Sequence, residues 1–271
     1  MRSLFAIACA LTLAACSDDA PSETAPPPQT PVLLPAGCGH AHNDYLHTRP
    51  LLDALERGFC SVEVDVFLVG DQLLVAHELA ATDPARTLQS LYLDPLRSLQ
   101  AAGGIRAEGP LALLIDIKSD AGPSYAAVHA VLAQYSDLLT AFEGQSATVG
   151  AVTAVISGNG DRAAMEAETT RYAAMDGRLD DVGTPAPVTL MPLISQSWSY
   201  AFLWNGEGAI PPNEKTALDG YVQQTHDEGR VLRFWAIPDQ ENCWGTLLSA
   251  GVDLINTDDL DGFSAFAAGT L

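Results

Sequence analysis

Residues 39–78 contain the side chains of this chain best suited to acid–base and metal chemistry. Within them, segment 62–67 alternates valine with acids and predicts a β-strand. Residues two apart on a strand share a face, so Glu63 and Asp65 point the same way. Carboxylates on an apolar strand are costly to bury alone, which predicts a cation or a histidine beside them. Four of the six histidines lie in this region: His40, His42, His47 and His77.

Two of these histidines flank the acidic strand in sequence. His42 and Asn43 occupy a turn just before a predicted helix, and His77 follows the apolar run 73–76. A Gly-Asp pair at 70–71 predicts a tight hairpin between the acidic strand and the strand that ends at His77. The pattern predicts an acid–base pair of histidines around a metal ion.

The His-Asn-Asp-Tyr-Leu run at 42–46, the Glu-x-Asp pair at 63–65 and His77 together form a specific set. This set resembles the catalytic region of the phospholipase C-like phosphodiesterase superfamily, which includes phosphoinositide-specific phospholipases C and glycerophosphodiester phosphodiesterases. The His-Asn-Asp-Tyr sequence at 42–45 is most similar to the altered inheritance of mitochondria branch of this superfamily. The resemblance implies an α/β fold, a TIM-type (β/α)8 barrel, and divalent-metal-dependent cleavage of phosphodiesters.

The resemblance also implies a ligand set for one divalent cation. Glu63, Asp65 and Asn43 are expected ligands, and so is Asp116, which ends an apolar strand as part of an acid-x-Lys motif with Lys118. The glycerophosphodiesterases usually have Glu where this chain has Asp116. Carboxylate and amide oxygens suit Ca²⁺ or Mg²⁺ rather than zinc, and the choice between these two ions stays open.

By the same resemblance, His42 and His77 are the catalytic acid and base, with their division of labour left open. Lys118 is expected to contact the substrate phosphate. His40 is a second candidate that contacts phosphate or orients His42, because the chain lacks the Arg of the His-Arg-Gly motif found in glycerophosphodiesterases.

Arg233 and Trp235 lie two apart on a predicted strand and share a face. A guanidinium can clamp a phosphate and an indole can stack on a ring or a glycerol backbone, so both are candidate substrate contacts. The alternative is that both simply fill the barrel interior.

Apolar runs alternate with helical patterns along the chain, which predicts βα units and a parallel sheet. In a barrel, chemistry sits at the C-terminal ends of the strands. Polar residues that fall near such ends include Ser157, Asp176, Gln196 and Asp258. The predicted strands are a short one ending in the turn 37–42, then 62–67, 111–118, 149–157, 172–176, 188–197, 231–237 and 252–257. The predicted helices are 48–58, 87–102, 124–142, 163–169, 214–229 and 243–250.

The chain of 271 residues has a formal net charge of −21, which argues against nucleic acid as a partner. The same charge disfavours a bulk anionic membrane. A phosphate substrate therefore needs a local positive site, which a bound divalent ion would provide.

The N-terminus predicts export. Residues 1–15 read as a signal peptide, and Cys16 within Leu-Ala-Ala-Cys resembles a bacterial lipobox cysteine that receives lipid. Residues 16–35 read as a Pro- and acid-rich tether, and residues 36–271 as the barrel domain. We therefore expect a lipid-anchored protein of the bacterial cell envelope, held at a membrane outside the cytoplasm.

After export three cysteines remain for the domain: Cys38, Cys60 and Cys243. An odd number permits at most one disulfide within the chain. Cys38 and Cys60 are predicted on neighbouring strands, and the pairing stays open.

The sequence therefore predicts a metal-dependent phosphoric diester hydrolase with a phosphodiester or phospholipid-derived substrate. Glycerophosphodiesters, a lysolipid and an inositol phospholipid all remain open. A first alternative is a non-catalytic, lipid-anchored binding module on the same barrel. A second is an amidohydrolase-like metal site on His40-x-His42, which lacks support because only His129 and His226 follow His77.

Overall fold

The computed structural model describes residues 33–270. Eight parallel strands form a barrel, in which the first strand pairs with both the second and the last, so the sheet closes on itself. Around the barrel, in sequence order, the strands are β1 (Cys38–Ala41), β2 (Ser61–Val69), β4 (Leu111–Ile117), β7 (Val152–Gly158), β8 (Ala173–Gly177), β9 (Leu193–Ser197), β10 (Val231–Trp235) and β11 (Leu254–Thr257). The predicted (β/α)8 barrel is confirmed.

Three strands lie outside this ring. The strand β3 (Gln72–Val75) runs antiparallel to β2, with Val66 opposite Val75, so the hairpin predicted at residues 70–71 is present. The strand β3 pairs with the C-terminal end of β2, and His77 follows two residues after it. The strands β5 (Ala141–Glu143) and β6 (Ser146–Thr148) form a separate small hairpin.

Helices follow most of the strands. They are α1 (Leu52–Glu56), α2 (Asp94–Ala102), α3 (Ala121–Leu132), α4 (Arg162–Ala167), α5 (Trp198–Ala201), α6 (Pro212–Asp227), α7 (Glu241–Ala250) and α8 (Leu260–Thr270). Short 3₁₀ turns and one π turn at 89–93 connect some of them. The helix α8 was not among the predicted elements.

The predicted helix 124–142 is wrong over its second half. The helix α3 ends at Leu132, and the backbone of Phe142 instead pairs with that of Arg171. Because the Phe142 ring is completely buried, burial in the extended hairpin outweighs the helical periodicity that led to the prediction. The predicted strand 188–197 is also too long, since β9 begins only after Pro192, which has no N–H to donate to a ladder.

The strand β2 shows how the barrel separates its apolar and polar faces. Val62, Val64 and Val66 are fully buried in the main core among the helices. Glu63 and Asp65 alternate with them, so they point to the opposite, inner face, as the sequence predicts. Because alternate residues of β2 face opposite sides, the valines pack in the core while the two acids face the inside of the barrel and form part of the site.

Cys38 and Cys60 form a disulfide, with their Cα atoms 6.0 Å apart. It joins the start of β1 to the residue before β2, which resolves the pairing that the sequence left open. Cys243 is buried and carries a free thiol.

The signal-peptide prediction for residues 1–15, lipid attachment at Cys16 and most of the tether 16–35 lie outside the described residues. Leu33 and Leu34 are buried, so the last residues of the predicted tether belong to the packed domain. Among residues 33–270, no helix has the length and apolar character needed to cross a bilayer.

Candidate active site

A cavity of about 240 Å³ opens at the C-terminal ends of the barrel strands. Barrel enzymes place their chemistry at this face. Of the ten site residues predicted in the domain, all but two line the cavity, the exceptions being His40, which is below it, and Asp65, which is buried behind it. Its lining residues are His42, Asn43, Glu63, His77, Asp116, Lys118, Ser157, Gly158, Arg178, Ser195, Arg233 and Trp235.

Three carboxylates meet on the cavity wall formed by β2 and β4. The register pairs Asp65 with Asp116, and one oxygen from each of Glu63, Asp65 and Asp116 lies within 4.8 Å of the others. One oxygen of Asp65 and one of Asp116 are buried without a hydrogen-bond partner. Burial, and then the neighbouring acids Glu63 and Asp65, raise the pKa of Asp116 above its ordinary value, although Lys118 opposes this. Orphaned oxygens among clustered acids are what a hard divalent cation would satisfy, so the residues fit such an ion.

Gly158 makes room for this group. It ends β7 with a φ of 65°, and a Cβ there would collide with the partnerless oxygen of Asp116. The absence of a side chain therefore keeps the Asp116 carboxylate in place against the backbone.

Lys118 partly neutralises the acids. Its Nζ lies 2.7 Å from Asp116 Oδ2 and 3.2 Å from Asp65 Oδ2. Its side chain is half-buried and lines the cavity, where it adds positive charge beside the predicted phosphate position.

Asn43 and Tyr45 attach the HNDY segment to these acids. Asn43 has a φ of 48°, a left-handed conformation that Asn tolerates better than most residues. The buried Tyr45 hydroxyl lies 3.0 Å from Asn43 Oδ1 and 2.9 Å from Asp65 Oδ2. Tyr45 was not among the predicted site residues, although its position two residues after Asn43 is part of the motif.

His42 is paired with Asp258, one of the polar residues noted at the strand ends. Asp258 Oδ1 lies 2.8 Å from His42 Nδ1. Burial, the largest influence, lowers the pKa of His42, but the hydrogen bond to Asp258 and the charge of Glu63 outweigh it and raise the pKa above 6.5. Within the described chain, the only side-chain hydrogen-bond partner of Nε2 is the Asn43 amide at 3.3 Å. Nε2 is therefore the ring atom left for a substrate.

His77 is paired with Asp65 in the same way. Its Nδ1 lies 3.2 Å from Asp65 Oδ2, and the Tyr45 hydroxyl is 3.4 Å from the same ring atom. The side chain is 58% exposed, so Nε2 is open to the cavity and to solvent. Each histidine thus has one nitrogen held by a carboxylate and the other available.

His40 lies beneath the cavity and is fully buried. Its Nε2 is 2.9 Å from Glu63 Oε2 and its Nδ1 is 2.6 Å from Ser61 Oγ. Burial, followed by the charge of Arg233, lowers the pKa of His40 to about 3, so the ring is neutral and donates from Nε2 to Glu63. The phosphate contact predicted for His40 does not fit this placement. The His40-x-His42 metal pair fails for the same reason, because both ring nitrogens of His40 are already engaged.

Arg233 is also mostly buried and donates to two residues. Its Nη2 lies 2.6 Å from Glu63 Oε2 and 2.6 Å from Asn256 Oδ1. Burial, the largest influence, opposes ionisation of Glu63, but Arg233 and His40 together hold the pKa of that carboxyl below its ordinary range. Arg233 lines the cavity, so its predicted phosphate contact stays a prediction, while Glu63 is its observed partner. Trp235 is 37% exposed at the end of β10, on the cavity wall.

Sequence reasoning gave no role to Arg178 and Ser195, which also line the cavity. Arg178 follows β8 directly, and Ser195 lies within β9. The position of Arg178 directly after a strand could have marked it as a site residue. A single Ser inside an apolar strand, such as Ser195, follows no pattern that would distinguish it.

Comparison with known proteins gives the family of this chain. A family model described as the AIM6-like phosphodiesterase domain matches residues 30–176, more than half of the chain. The chain belongs to the AIM6-like phosphodiesterase family. A second model, the glycerophosphoryl diester phosphodiesterase family, matches residues 231–261. The resemblance to phospholipase C-like phosphodiesterases is confirmed.

Curated relatives of this AIM6-like chain are fungal. Altered inheritance of mitochondria protein 6 of Eremothecium gossypii is 32% identical over 266 residues, which cover 84% of this chain and 68% of that protein. The homolog of the same protein in Arthroderma benhamiae is 27% identical over 259 residues, covering 82% of this chain and 81% of that protein.

The solved structure of a glycerophosphodiester phosphodiesterase from Parabacteroides distasonis has a similar fold. It superposes with a TM-score of 0.53 at 14% identity, covering 88% of this chain and all of that one. At this identity the likeness concerns the barrel alone.

The predicted localisation is wrong. The AIM6-like relatives are fungal proteins named for altered inheritance of mitochondria, and none of those compared above is a bacterial envelope lipoprotein. The prediction rested on the first 16 residues, where a short apolar run followed by cysteine resembles a lipobox. Such a short pattern is much less specific than similarity over the whole domain.

Proposed function

We propose that this AIM6-like domain hydrolyses phosphodiesters with His42 and His77 as its acid–base pair. One observation carries the proposal. Each histidine binds a carboxylate through Nδ1, Asp258 in one case and Asp65 in the other, and both line the cavity that holds the acidic triad. A carboxylate on one nitrogen orients the ring and stabilises its protonated form, which prepares the other nitrogen for proton transfer.

His42 serves as the acid in this proposal. Burial lowers the pKa of His42, but the hydrogen bond to Asp258 and the charge of Glu63 raise it by more and so favour the protonated ring. Its Nε2–H would give a proton to the oxygen of the leaving alcohol as the P–O bond breaks. His77 serves as the base, because its exposed Nε2 can take a proton from the attacking hydroxyl as that oxygen bonds to phosphorus. The protons return through solvent before the next cycle.

Asn43, Glu63, Asp65 and Asp116 would hold one divalent cation, Ca²⁺ or Mg²⁺. Such an ion supplies positive charge that stabilises the phosphoryl oxygens and lowers the pKa of the attacking hydroxyl. Lys118 adds charge from the same wall. Tyr45 holds Asn43 and Asp65 in position, and Arg233 fixes Glu63 through a 2.6 Å contact.

The substrate class in this proposal is a phosphodiester, either a glycerophosphodiester or a phospholipid headgroup. A cavity of about 240 Å³ accommodates a phosphate with a small alcohol on it. The overall charge of −21 repels a negatively charged phosphodiester. The attraction must therefore come from positive charge inside the cavity, which Lys118 and a bound cation would supply.

The test is a panel of soluble and lipid phosphodiesters, assayed with Ca²⁺, with Mg²⁺ and with chelator. We expect metal-dependent turnover that falls roughly 10²–10⁴-fold in His42→Ala and in His77→Ala. His129→Ala is the matched control, because this histidine lies on α3 beside Glu168 and outside the cavity. Wild-type rates in both site variants would refute the two-histidine mechanism. Absence of turnover on the whole panel would favour the binding-module alternative.

A further inference from the structure

A second cavity, of about 340 Å³, lies at the opposite end of the barrel from the candidate active site. Arg171 lies just before β8 and Leu190 just before β9, so both line this cavity at the N-terminal ends of the strands. Residues of α4 and of the turn between β5 and β6 complete the walls. We call it the Arg171 cavity, and it shares no lining residue with the candidate active site.

Arg171 is a buried cation without a matching anion. It is 5% exposed, and among residues 33–270 no carboxylate lies within 4.0 Å of its guanidinium. The two other buried arginines of this part of the chain each have one, since Arg230 contacts Glu228 at 2.8 Å and Arg233 contacts Glu63 at 2.6 Å. Buried charges are normally paired, because an unpaired charge is costly to remove from water. The charge of Arg171 is therefore the one that a ligand could match.

The contacts of Arg171 hold its guanidinium in place and leave part of it unused. Nη1 donates to the backbone oxygen of Ala173 at 3.0 Å, and Nη2 donates to that of Thr189 at 3.4 Å. The guanidinium also lies over the Phe142 ring, with 5.1 Å between Cζ and the ring centroid. Nε has no hydrogen-bond partner among the described residues. Nε and the second hydrogen of Nη2 are thus left to donate side by side, an arrangement that matches the two oxygens of a carboxylate.

Glu168 brings the opposite charge to the same cavity. Its carboxylate accepts no hydrogen bond from residues 33–270, and the one cationic group within 4.0 Å of it there is His129 Nε2, at 3.6 Å. Arg171 and Glu168 are too far apart to form an ion pair with each other. The other two charged lining residues satisfy one another, because Arg162 Nε lies 2.8 Å from Glu166 Oε1. The cavity therefore presents one guanidinium and one carboxylate that are both available to a ligand.

Much of the remaining lining is apolar. Met165 and Leu190 are buried side chains, and residues 185–187 add Pro, Ala and Pro to the same wall. The volume falls within the roughly 300–1,000 Å³ of small-molecule sites. A simple anion would match Arg171 but place a second negative charge near Glu168, which repels it. A zwitterion with a small apolar group matches both charges and the wall.

We propose that the Arg171 cavity binds a free α-amino acid with an apolar side chain. The carboxylate of the ligand accepts from Nε and Nη2 of Arg171, its ammonium donates to Glu168, and its side chain packs against Met165 and Leu190. This inference does not rest on the proposed hydrolysis, because the two cavities lie at opposite ends of the barrel.

Calorimetry with three compounds that share one apolar group tests the charge match. L-Leucine carries both charges, 4-methylpentanoate lacks the ammonium and 3-methylbutylamine lacks the carboxylate. We expect saturable binding of leucine, and binding of each singly charged compound that is weaker by about tenfold or more, the size of a hydrogen bond between charged groups. Absence of leucine binding, or an equal affinity for leucine and either analogue, would overturn the proposal.

Glu168→Gln tests the ammonium contact. It removes the charge at nearly constant shape, so the affinity for leucine should fall about tenfold while the affinity for 4-methylpentanoate does not fall. Glu143→Gln is the matched control, because Glu143 is exposed on β5 and does not line the cavity. A leucine affinity that is the same in Glu168→Gln, Glu143→Gln and wild type would contradict the contact.

Arg171→Gln tests the carboxylate contact and should reduce binding of both leucine and 4-methylpentanoate by about tenfold or more. Because Arg171 is buried, circular dichroism first establishes that this variant is folded, and if it is not, the Glu168→Gln result decides the proposal alone. His77→Ala should bind leucine as wild type does, so the outcome for this cavity is independent of the outcome for hydrolysis. A folded Arg171→Gln variant with wild-type affinity for leucine would overturn the proposal.

Discussion

His42 Nδ1 and Asp258 Oδ1 are 2.8 Å apart although 216 positions separate them in the sequence. The closure of the barrel brings them together, because β1 and β11 are neighbours and each residue follows the end of its strand. Among residues 33–270, His42 is the only side chain hydrogen-bonded to the Asp258 carboxylate, so a change at Asp258 tests the role proposed for His42.

Asp258→Asn should weaken the acid role of His42. Loss of the carboxylate removes a contribution that raises the pKa of His42, so the protonated ring disappears at a lower pH. The alkaline limb of the pH–rate profile should move to lower pH, and turnover at neutral pH should fall by about tenfold or more. Asp261→Asn is the control, since this neighbouring acid pairs with Arg57 instead. An alkaline limb that stays in place would remove His42 from the acid role.

Gly158→Ala should weaken metal binding. The added Cβ collides with Asp116 Oδ1 and displaces a proposed ligand. Gly144→Ala is a matched control, because Gly144 also has a positive φ, of 58°, but has open space where its Cβ would lie. Both variants should lose about 1 kcal/mol of stability from backbone strain. Only Gly158→Ala should lose affinity for Ca²⁺ or Mg²⁺ in calorimetry, and equal affinities in the two variants would show that Asp116 does not bind the ion.

Two buried tyrosines should respond differently to loss of their hydroxyls. Tyr45→Phe removes the group between Asn43 and Asp65, so it should lower turnover about tenfold with a smaller effect on stability. Tyr92→Phe removes the 2.8 Å hydrogen bond to the buried Asp44 Oδ2 and leaves it only the Leu51 N–H donor, so it should cost about 1–3 kcal/mol of stability and retain turnover. Thermal unfolding and steady-state kinetics on both variants check this. If Tyr92→Phe instead lowered turnover and Tyr45→Phe did not, Tyr92 rather than Tyr45 would be the tyrosine that supports the site.

The neutral, buried His40 predicts loss of stability in mild acid. Its pKa is about 3 in the folded state and near 6.5 when unfolded, so the unfolded chain binds the extra proton between these values. Stability should therefore fall as the pH is lowered below 6.5, at up to about 1.4 kcal/mol per pH unit from this residue. Denaturant unfolding at pH 6.5 and pH 5 measures the slope. His40→Gln should give a shallower slope than wild type, and identical slopes would contradict the assignment.

Much of the acidic wall could be predicted because it follows from local periodicity. Glu63 and Asp65 alternate with valines, so strand geometry places them on one face of β2. Asp116 ends the next barrel strand, and the pairing of β2 with β4 puts it beside Asp65. His42 and His77 came from a motif whose pieces are close in sequence. The barrel followed from repeated alternation of apolar strands and helical segments.

The remainder depends on contacts between distant parts of the chain. Asp176 accepts hydrogen bonds from Ser157 and Ser195 on two other strands, and no spacing within one strand encodes that meeting. His40 looked available in a motif rich in histidines, yet Ser61 and Glu63 on the adjacent strand occupy both its nitrogens. Phe142 followed a helical pattern but is held by the backbone of Arg171, 29 positions later in the numbering.

Closure of the barrel also means that neither half of the domain contains a whole active site. A nick at the exposed turn around Gly183, between β8 and β9, would leave every proposed metal ligand on the first fragment. The partner of His42 and the arginine that fixes Glu63 would both be on the second. The two fragments are therefore candidates for complementation, in which each is inactive alone and reassociation of the cut barrel restores the cavity.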